Sequence, residues 1–96
     1  MLETLTYAVF EPALGERFEL CGDAAAAQLE LICAEPLASD GHAVRPPFHL
    51  IFRGPRAPIL DQRTHALTHP AFGTLEIFLV PIGPDRVGQC YEAVFA

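Results

Sequence analysis

A hairpin from Phe72 to Phe95 is the clearest element that the pattern of apolar and polar positions predicts. Side chains alternate between the two faces of a strand, so each arm presents two sets of residues. In the first arm the sets are Leu75, Ile77 and Leu79, and Glu76, Phe78 and Val80. In the second arm they are Tyr91, Ala93 and Phe95, and Cys90, Glu92 and Val94. Both faces of the first arm are therefore apolar from Ile77 to Val80.

The residues between the two arms have the properties of a turn. Gly83 allows a positive φ, Pro84 fixes φ, and the Asp85 side chain caps nearby N–H groups. Pro81 cannot donate to a hydrogen-bonded ladder, so it indicates a strand end or a sheet edge.

Gly- and Pro-rich turns, at intervals of about ten residues, separate the other predicted strands. These strands are Arg17–Cys21, Ala24–Glu35, Phe48–Arg53 and Gln62–Thr68. In the second of them, the run of alanines favours helix. We interpret it as a strand because Ala27, Leu29, Leu31 and Cys33 alternate with their neighbours. Thr6 to Phe10 is predicted to form a helical turn, with a short first strand as the alternative, and Pro36 to Pro47 a loop.

These elements predict a single all-β domain over residues 1–96, a small antiparallel barrel or sandwich of about six strands with a short N-terminal helical turn. Phe48, Leu50 and Phe52 face the core in this arrangement. A second apolar face then needs a cover, and its residues are Ile51, Phe78, Val80 and Val94. The cover is either the N-terminal segment around Tyr7 or a second copy of the chain. We expect a homodimer.

Charge and composition exclude several classes of partner. The chain has six Arg and no Lys against twelve acidic residues, a net charge of −6 that repels a phosphate backbone. Nucleic acid is therefore not expected as a partner. No apolar run reaches the length of about 20 residues that crosses a membrane, and the first residues lack a secretory signal, so we expect a cytoplasmic protein. Cys21, Cys33 and Cys90 are expected to be reduced and structural.

The sequence contains no convincing catalytic pattern. His65 and His69 are spaced to share a strand face, but no third ligand accompanies them, so neither metal nor another cofactor is expected. No nucleophile-elbow motif surrounds Ser39, and we expect no enzyme activity. The alternative to an interaction module is a small-molecule binder at the barrel mouth. Its candidate ligand-binding residues are Arg53, Arg56, Gln62 and Tyr91.

Several motifs resemble those of a family of small, uncharacterised bacterial proteins that carry a domain of unknown function. The shared positions are Phe10, Pro12, Gly15 and Phe18; Pro47, Phe48, Leu50, Phe52, Gly54 and Pro55; Gln62; His69, Pro70 and Gly73; the run Phe78 to Asp85; and the run Tyr91 to Phe95. Members of that family accompany phage-tail-like genes, so the resemblance implies an accessory of a phage-tail-like assembly. The Gly, Pro and aromatic residues at these positions are typical of turns and core. We therefore expect a non-enzymatic structural or protein-interaction module.

Overall fold

The computed structural model describes residues 5–22, 27–38 and 46–95, and within these ranges it contains one short α-helix and six strands. Helix α1 is Tyr7–Phe10, and one 3-10 turn, Glu11–Ala13, follows it. The strands are β1 (Arg17–Leu20), β2 (Gln28–Pro36), β3 (Phe48–Gly54), β4 (Arg63–His69), β5 (Gly73–Pro84) and β6 (Gln89–Phe95). The predicted fold class is confirmed, including the helical turn and the strand after the alanine run.

Two parts of the sequence-based prediction lie outside the described residues. These are the positions 23–26, with most of the alanine run, and the positions 39–45, with most of the predicted loop. None of the helices among the described residues is long or apolar enough to cross a membrane.

The strands pair antiparallel and close into a barrel in the order β1-β2-β3-β6-β5-β4. The last pairing returns from β4 to β1, where Glu19 lies opposite Thr68 and Leu20 opposite Leu67. Of the two predicted architectures, the barrel is therefore the one that forms. Closure matters because an open sheet of this size presents two unpaired edges to other chains.

Every second side chain points into the barrel and is buried. The inward-facing apolar residues are Phe18, Leu20, Leu29, Leu31, Ala34, Phe48, Leu50, Phe52, Leu67, Ile77, Leu79, Tyr91, Ala93 and Phe95. Helix α1 closes the end where β3 begins, because the Phe10 ring lies 6.0 Å from that of Phe48 and 5.8 Å from that of Phe95. At the other end of β3, the buried Leu60 donates its backbone N–H to the Tyr91 hydroxyl at 2.9 Å.

A β-bulge changes the alternation in β2. The pairing of β2 with β3 shifts between Leu31 and Cys33, which leaves Ile32 as the extra residue. Leu31 and Ala34 are buried, whereas Ile32 and Cys33 are half-buried. The prediction that Cys33 shares a face with Leu29 and Leu31 is therefore wrong, because strict alternation ends at the bulge. An inserted residue re-aims the side chains that follow it, and Cys33 turns to the outer surface.

A second bulge lies in β5, where the register with β6 shifts between Pro81 and Gly83. The strand continues to Pro84, so Pro81 does not end it. The pairing with β4 stops at Leu79, however, and from there β5 has only β6 as a neighbour. Pro81 therefore occupies an edge, the other predicted explanation, where a residue without an N–H is tolerated.

The Asp85 carboxylate holds the turn between β5 and β6. Its Oδ1 accepts hydrogen bonds from the backbone N–H groups of Val87 at 2.8 Å and Gly88 at 2.9 Å, which is the predicted capping role. Its Oδ2 accepts from Nε of Arg53 at 2.8 Å and also from Nη2 of Arg53. The guanidinium first, and then the two N–H groups, hold the pKa of Asp85 well below its usual range. Arg53 lies near the end of β3, so Asp85 ties the turn to that strand.

Two glycines are required at this turn for different reasons. Gly83 has a φ of 102°, a conformation that side chains disfavour. Gly88 instead lies against β3, where an added Cβ would be 2.1 Å from the carbonyl oxygen of Gly54. Because Gly83 and Pro84 pair with β6, the turn predicted at Gly83-Pro84-Asp85 begins only at Asp85 and ends at Gly88.

Replacing Gly88 tests the close approach of the turn to β3. Gly88→Ala should lower the free energy of unfolding by about 3 kcal/mol or more, because the atom in the way is backbone and the strands must separate. The control is Gly73→Ala, at φ +68° with no atom within 4 Å of the added Cβ. It should lower the free energy of unfolding by only about 1–2 kcal/mol, which is the strain of a side chain in the left-handed backbone region. Urea denaturation measures both values, and equal losses would contradict the contact.

The ion pair at Asp85 predicts a pH dependence. A carboxylate whose pKa is lowered by folding stabilises the protein above its unfolded-state pKa of about 3.9, and this stabilisation is lost as the pH falls through the folded-state pKa. Asp85→Asn should therefore reduce the free energy of unfolding at neutral pH, and its difference from the wild type should shrink in acid. Urea denaturation across a pH series measures the difference.

The matched control for that series is Asp61→Asn, which makes the same change of charge at an exposed position. It should leave the free energy of unfolding at neutral pH unchanged. If Asp85→Asn lowered the free energy of unfolding by the same amount at every pH, the charge of Asp85 would not be what stabilises the turn.

Candidate functional site

Polar side chains from three adjacent strands meet on the outer surface of the barrel. We call them the outer polar cluster, and its members are Cys33 and Glu35 of β2, His49 of β3 and Glu92 of β6. Glu35 lies directly opposite His49. Nε2 of His49 is 3.7 Å from Oε1 of Glu35 and 4.0 Å from Sγ of Cys33. These three residues place potential metal-ligand atoms within 4.8 Å of one another.

Glu92 orients His49 from the opposite side of the ring. Nδ1 of His49 and Oε2 of Glu92 are 2.7 Å apart. A neutral imidazole that donates its Nδ1 proton to this carboxylate presents the Nε2 lone pair to Cys33 and Glu35. The exposed fractions of the side chains are 17% for His49, 33% for Glu92 and 69% for Glu35. His49 and Glu92 are therefore partly buried in the barrel wall, whereas Glu35 is open to solvent.

The thiols of the barrel wall are not activated nucleophiles. Burial raises the pKa of the Cys33 thiol, and the carboxylates of Glu35 and Glu92 raise it further. Burial likewise raises the pKa of Cys90, which the charge of Asp85 also disfavours as a thiolate. A nucleophilic cysteine needs the opposite change, a lowered pKa next to positive charge.

Apolar side chains lie beside the outer polar cluster on the same surface. We call them the outer apolar face, and its members are the predicted interface residues Ile51, Phe78, Val80 and Val94. Phe78 is 50% and Val94 58% exposed, whereas Ile51 and Val80 are half-buried. Ile51 and Val80 both lie opposite Glu92. The structure therefore brings the four predicted residues onto one surface formed by β3, β6 and β5.

The described part of the N-terminal segment does not cover the outer apolar face. Helix α1 packs against β2 and β3 at the end of the barrel, with Phe10 directed inward. Phe78, on β5, stays half-exposed. The segment around Tyr7 was one of the two covers considered for this face, and it packs at the end of the barrel instead.

Two of the four candidate ligand-binding residues, Arg53 and Arg56, contact Asp85, and the other two lie elsewhere. Arg53 pairs with Asp85, and Arg56 donates to the backbone carbonyl oxygens of Asp85 at 3.2 Å and Arg86 at 2.8 Å. Gln62 is exposed in the segment before β4, and Tyr91 is buried with its hydroxyl bound to the Leu60 N–H. Tyr91 therefore closes an internal hydrogen bond, and Gln62 lies outside the barrel wall.

An open depression of about 520 Å³ lies beside the end of β3, and of the four candidates only Arg53 lines it. Its other polar lining residues are Arg17, Gln28 and Glu30. Two of these are already paired, since Arg17 donates to Oε1 of Gln28 at 3.4 Å. The depression thus presents few polar groups that are available to a ligand.

His65 and His69 share the inner face of β4, as their spacing predicted, but they have different partners. Nε2 of His65 lies 2.8 Å from the backbone oxygen of Asp61. Nδ1 of His69 accepts from the Ala71 N–H at 3.0 Å, so its Nε2 donates to Oε1 of Glu16 at 2.6 Å. Both side chains are buried, and His65 closes a local contact whereas His69 links β4 to Glu16, 53 residues earlier in the chain.

The sequence analysis missed the outer polar cluster because its members lie far apart along the chain. The Cys33-x-Glu35 spacing places both side chains on one face of a strand, which was the available signal. Two facts were needed in addition: the bulge that turns Cys33 outward, and the register that places His49 opposite Glu35.

The comparison with protein families gives one result. A family model described as a domain of unknown function (DUF6916) matches residues 5–95. Searches of curated proteins and of solved structures gave no match. The matched range includes all six strands, the outer polar cluster and the outer apolar face. The chain therefore belongs to the DUF6916 family, whose function is unknown.

Proposed function

We propose that this protein is a non-enzymatic interaction module that binds protein through its outer apolar face, and that the partner is a second copy of the chain. One observation carries the proposal. Phe78 and Val94 are about half-exposed on strands whose inward side chains already fill the core. An exposed apolar patch on a folded domain marks an interaction surface more often than isolated apolar residues do.

The polar group at the centre of this face favours burial in an interface. Glu92 lies between Ile51 and Val80 in the strand register. Burying an unpaired carboxylate is costly, but Glu92 is already hydrogen-bonded to His49 at 2.7 Å. A partner that covers the face therefore meets a carboxylate that already has a hydrogen-bond donor within the same chain. Ile82, which is 49% exposed at the β5 bulge, extends the apolar surface along the same strand.

The outer apolar face can bind a second copy of the chain without any additional binding feature. An apolar face is complementary to itself, so two copies related by a two-fold axis bury the same residues. The net charge of −6 on each copy opposes their association. Salt screens this repulsion, so added salt should strengthen the dimer, whereas it would weaken binding to a basic partner.

The resemblance to a bacterial family that accompanies phage-tail-like genes supports a place for this module in such an assembly. A closed barrel with paired edges suits an accessory subunit, because it offers side chains rather than strand edges for contact. The small-molecule alternative has less support, since Arg53, Arg56, Gln62 and Tyr91 do not converge on one cavity.

A charge on the outer apolar face should dissociate the dimer. Phe78→Asp is expected to give a folded monomer at concentrations where the wild type sediments as a dimer, because the interface would then bury an unpaired carboxylate. Since Phe78 is half-exposed in the single chain, the free energy of unfolding of the monomer should change by less than about 1 kcal/mol. Sedimentation velocity and far-ultraviolet circular dichroism measure the two effects.

The matched control is Ile59→Asp, the same kind of change at a residue that is 58% exposed outside the strands. It should leave the dimer intact. A wild type that sediments only as a monomer, at low and at high salt, would rule out self-association. Dissociation by Ile59→Asp as well would show that net charge, rather than the face, controls association.

A further inference from the structure

We infer that the outer polar cluster is a metal site, in which Sγ of Cys33, a carboxylate oxygen of Glu35 and Nε2 of His49 bind a zinc ion. This inference does not depend on the proposed self-association. Its evidence is the placement of three ligand-type side chains on two paired strands, and the orientation of the histidine by a fourth residue.

The ligand atoms of Cys33, Glu35 and His49 lie within 4.8 Å of one another, close to the spacing of a tetrahedral site. Bonds of zinc to N, O and S ligands are about 2.0–2.3 Å long, so ligand atoms in a tetrahedral site lie about 3.3–3.8 Å apart. Nε2 of His49 is 3.7 Å from Oε1 of Glu35, which is within that range. Its distance of 4.0 Å to Sγ of Cys33 is slightly longer, and a small rotation of the half-buried Cys33 and His49 side chains would close the difference.

The backbone fixes the positions from which the ligands extend. Glu35 and His49 are direct partners in the β2–β3 ladder, and the bulge at Ile32 turns Cys33 to the same side. Bulges are frequent beside functional sites because they re-aim single side chains. Since the strands are already paired, the chain needs no metal to bring these residues together, and we expect the metal-free protein to be folded.

Glu92 provides the outer hydrogen bond that metal-binding histidines commonly make. Such a histidine usually donates its second ring N–H to a carboxylate, which fixes the tautomer and makes the coordinating nitrogen more basic. The 2.7 Å contact between Nδ1 of His49 and Oε2 of Glu92 has this arrangement. Nε2, the atom through which a neutral imidazole binds a metal, then directs its lone pair toward Cys33 and Glu35.

The ligand set identifies the class of ion. Sulfur, imidazole and carboxylate ligands together suit zinc, whereas calcium and magnesium take oxygen ligands. A Cys33 thiolate and the Glu35 carboxylate carry two negative charges, which balance a divalent ion. Binding releases the Cys33 thiol proton to solvent. Three protein ligands leave the fourth position for water, on the side where Glu35 is 69% exposed.

The alternative for the same geometry is a protonated His49 that bridges Glu35 and Glu92 without a metal. Cobalt(II) separates the two cases, because it replaces zinc in tetrahedral sites and its bond to a thiolate gives a charge-transfer absorption. Titrating reduced, chelator-treated protein with cobalt should give this absorption and tetrahedral visible bands at one ion per chain. Back-titration with zinc then yields the zinc affinity.

Variants assign the ligands. Cys33→Ser should abolish the charge-transfer band, and His49→Ala should abolish tetrahedral binding. Glu92→Gln should retain the band but weaken zinc binding about 10–100-fold, the usual effect of losing such an outer partner. The controls Cys21→Ser and Glu19→Gln remove a thiol and a carboxylate outside the cluster, and they should bind as the wild type does.

Thermal unfolding gives a second readout, because an ion that binds only the folded protein stabilises it. Saturating zinc should raise the Tm of the wild type by several degrees and leave that of Cys33→Ser unchanged, while circular dichroism shows both folded without metal. Absence of the charge-transfer band in the wild type would overturn the inference. Persistence of the band in Cys33→Ser would overturn it too.

Discussion

Closing six short strands into a barrel forces every second side chain into one small interior, and the rest of the structure depends on that constraint. The interior is filled by aromatic and aliphatic side chains that are almost fully buried. Phe10 closes one end through its contacts with Phe48 and Phe95, and Leu60 lies over Tyr91 near the other. Among the described residues, the polar cluster and the apolar face described above both lie on the outer wall of this barrel.

The same constraint explains the irregular features of the wall. A small closed barrel needs strongly bent strands, and bulges supply the bend. The bulge in β2 turns Cys33 toward His49, and the one in β5 displays Ile82 beside Val80. The turn after β5 is held to β3 by Asp85 and by the close packing of Gly88 on Gly54. Asp85, the last residue of the recognisable motif from Phe78 to Asp85, therefore holds the β5–β6 turn against β3.

Periodicity and turn chemistry were sufficient to predict the fold class, the strands and the inward residues. The predicted sets Phe48, Leu50, Phe52 and Tyr91, Ala93, Phe95 face the core, because alternation within one strand is a local property. The four residues of the outer apolar face were found for the same reason: each breaks the expected polarity of its strand. Asp85 was also predictable, because its capping bonds reach only two and three residues along the chain.

Features that depend on pairing between distant strands could not be predicted from the sequence. Alternation failed at Cys33, where a bulge adds a residue without any mark in composition. The partner of His49 depended on a register set across residues 36–48, which no local pattern determines. The candidate ligand-binding residues at the barrel mouth do not line one cavity. Arg53 was assigned to a ligand, but its partner in the structure is Asp85, which lies 32 residues away along the chain.

We propose that the outer wall of β3, β6 and β5, rather than the interior or the barrel mouth, is the surface through which this protein binds its partner. Nuclear magnetic resonance tests it most directly, by comparing the amide and methyl chemical shifts of metal-free protein in dilute and concentrated samples. We expect changes confined to the outer apolar face, which is Ile51, Phe78, Val80 and Val94, and to its neighbours on these strands. Changes centred on the depression beside Arg17 and Glu30, or no change at any concentration, would contradict it.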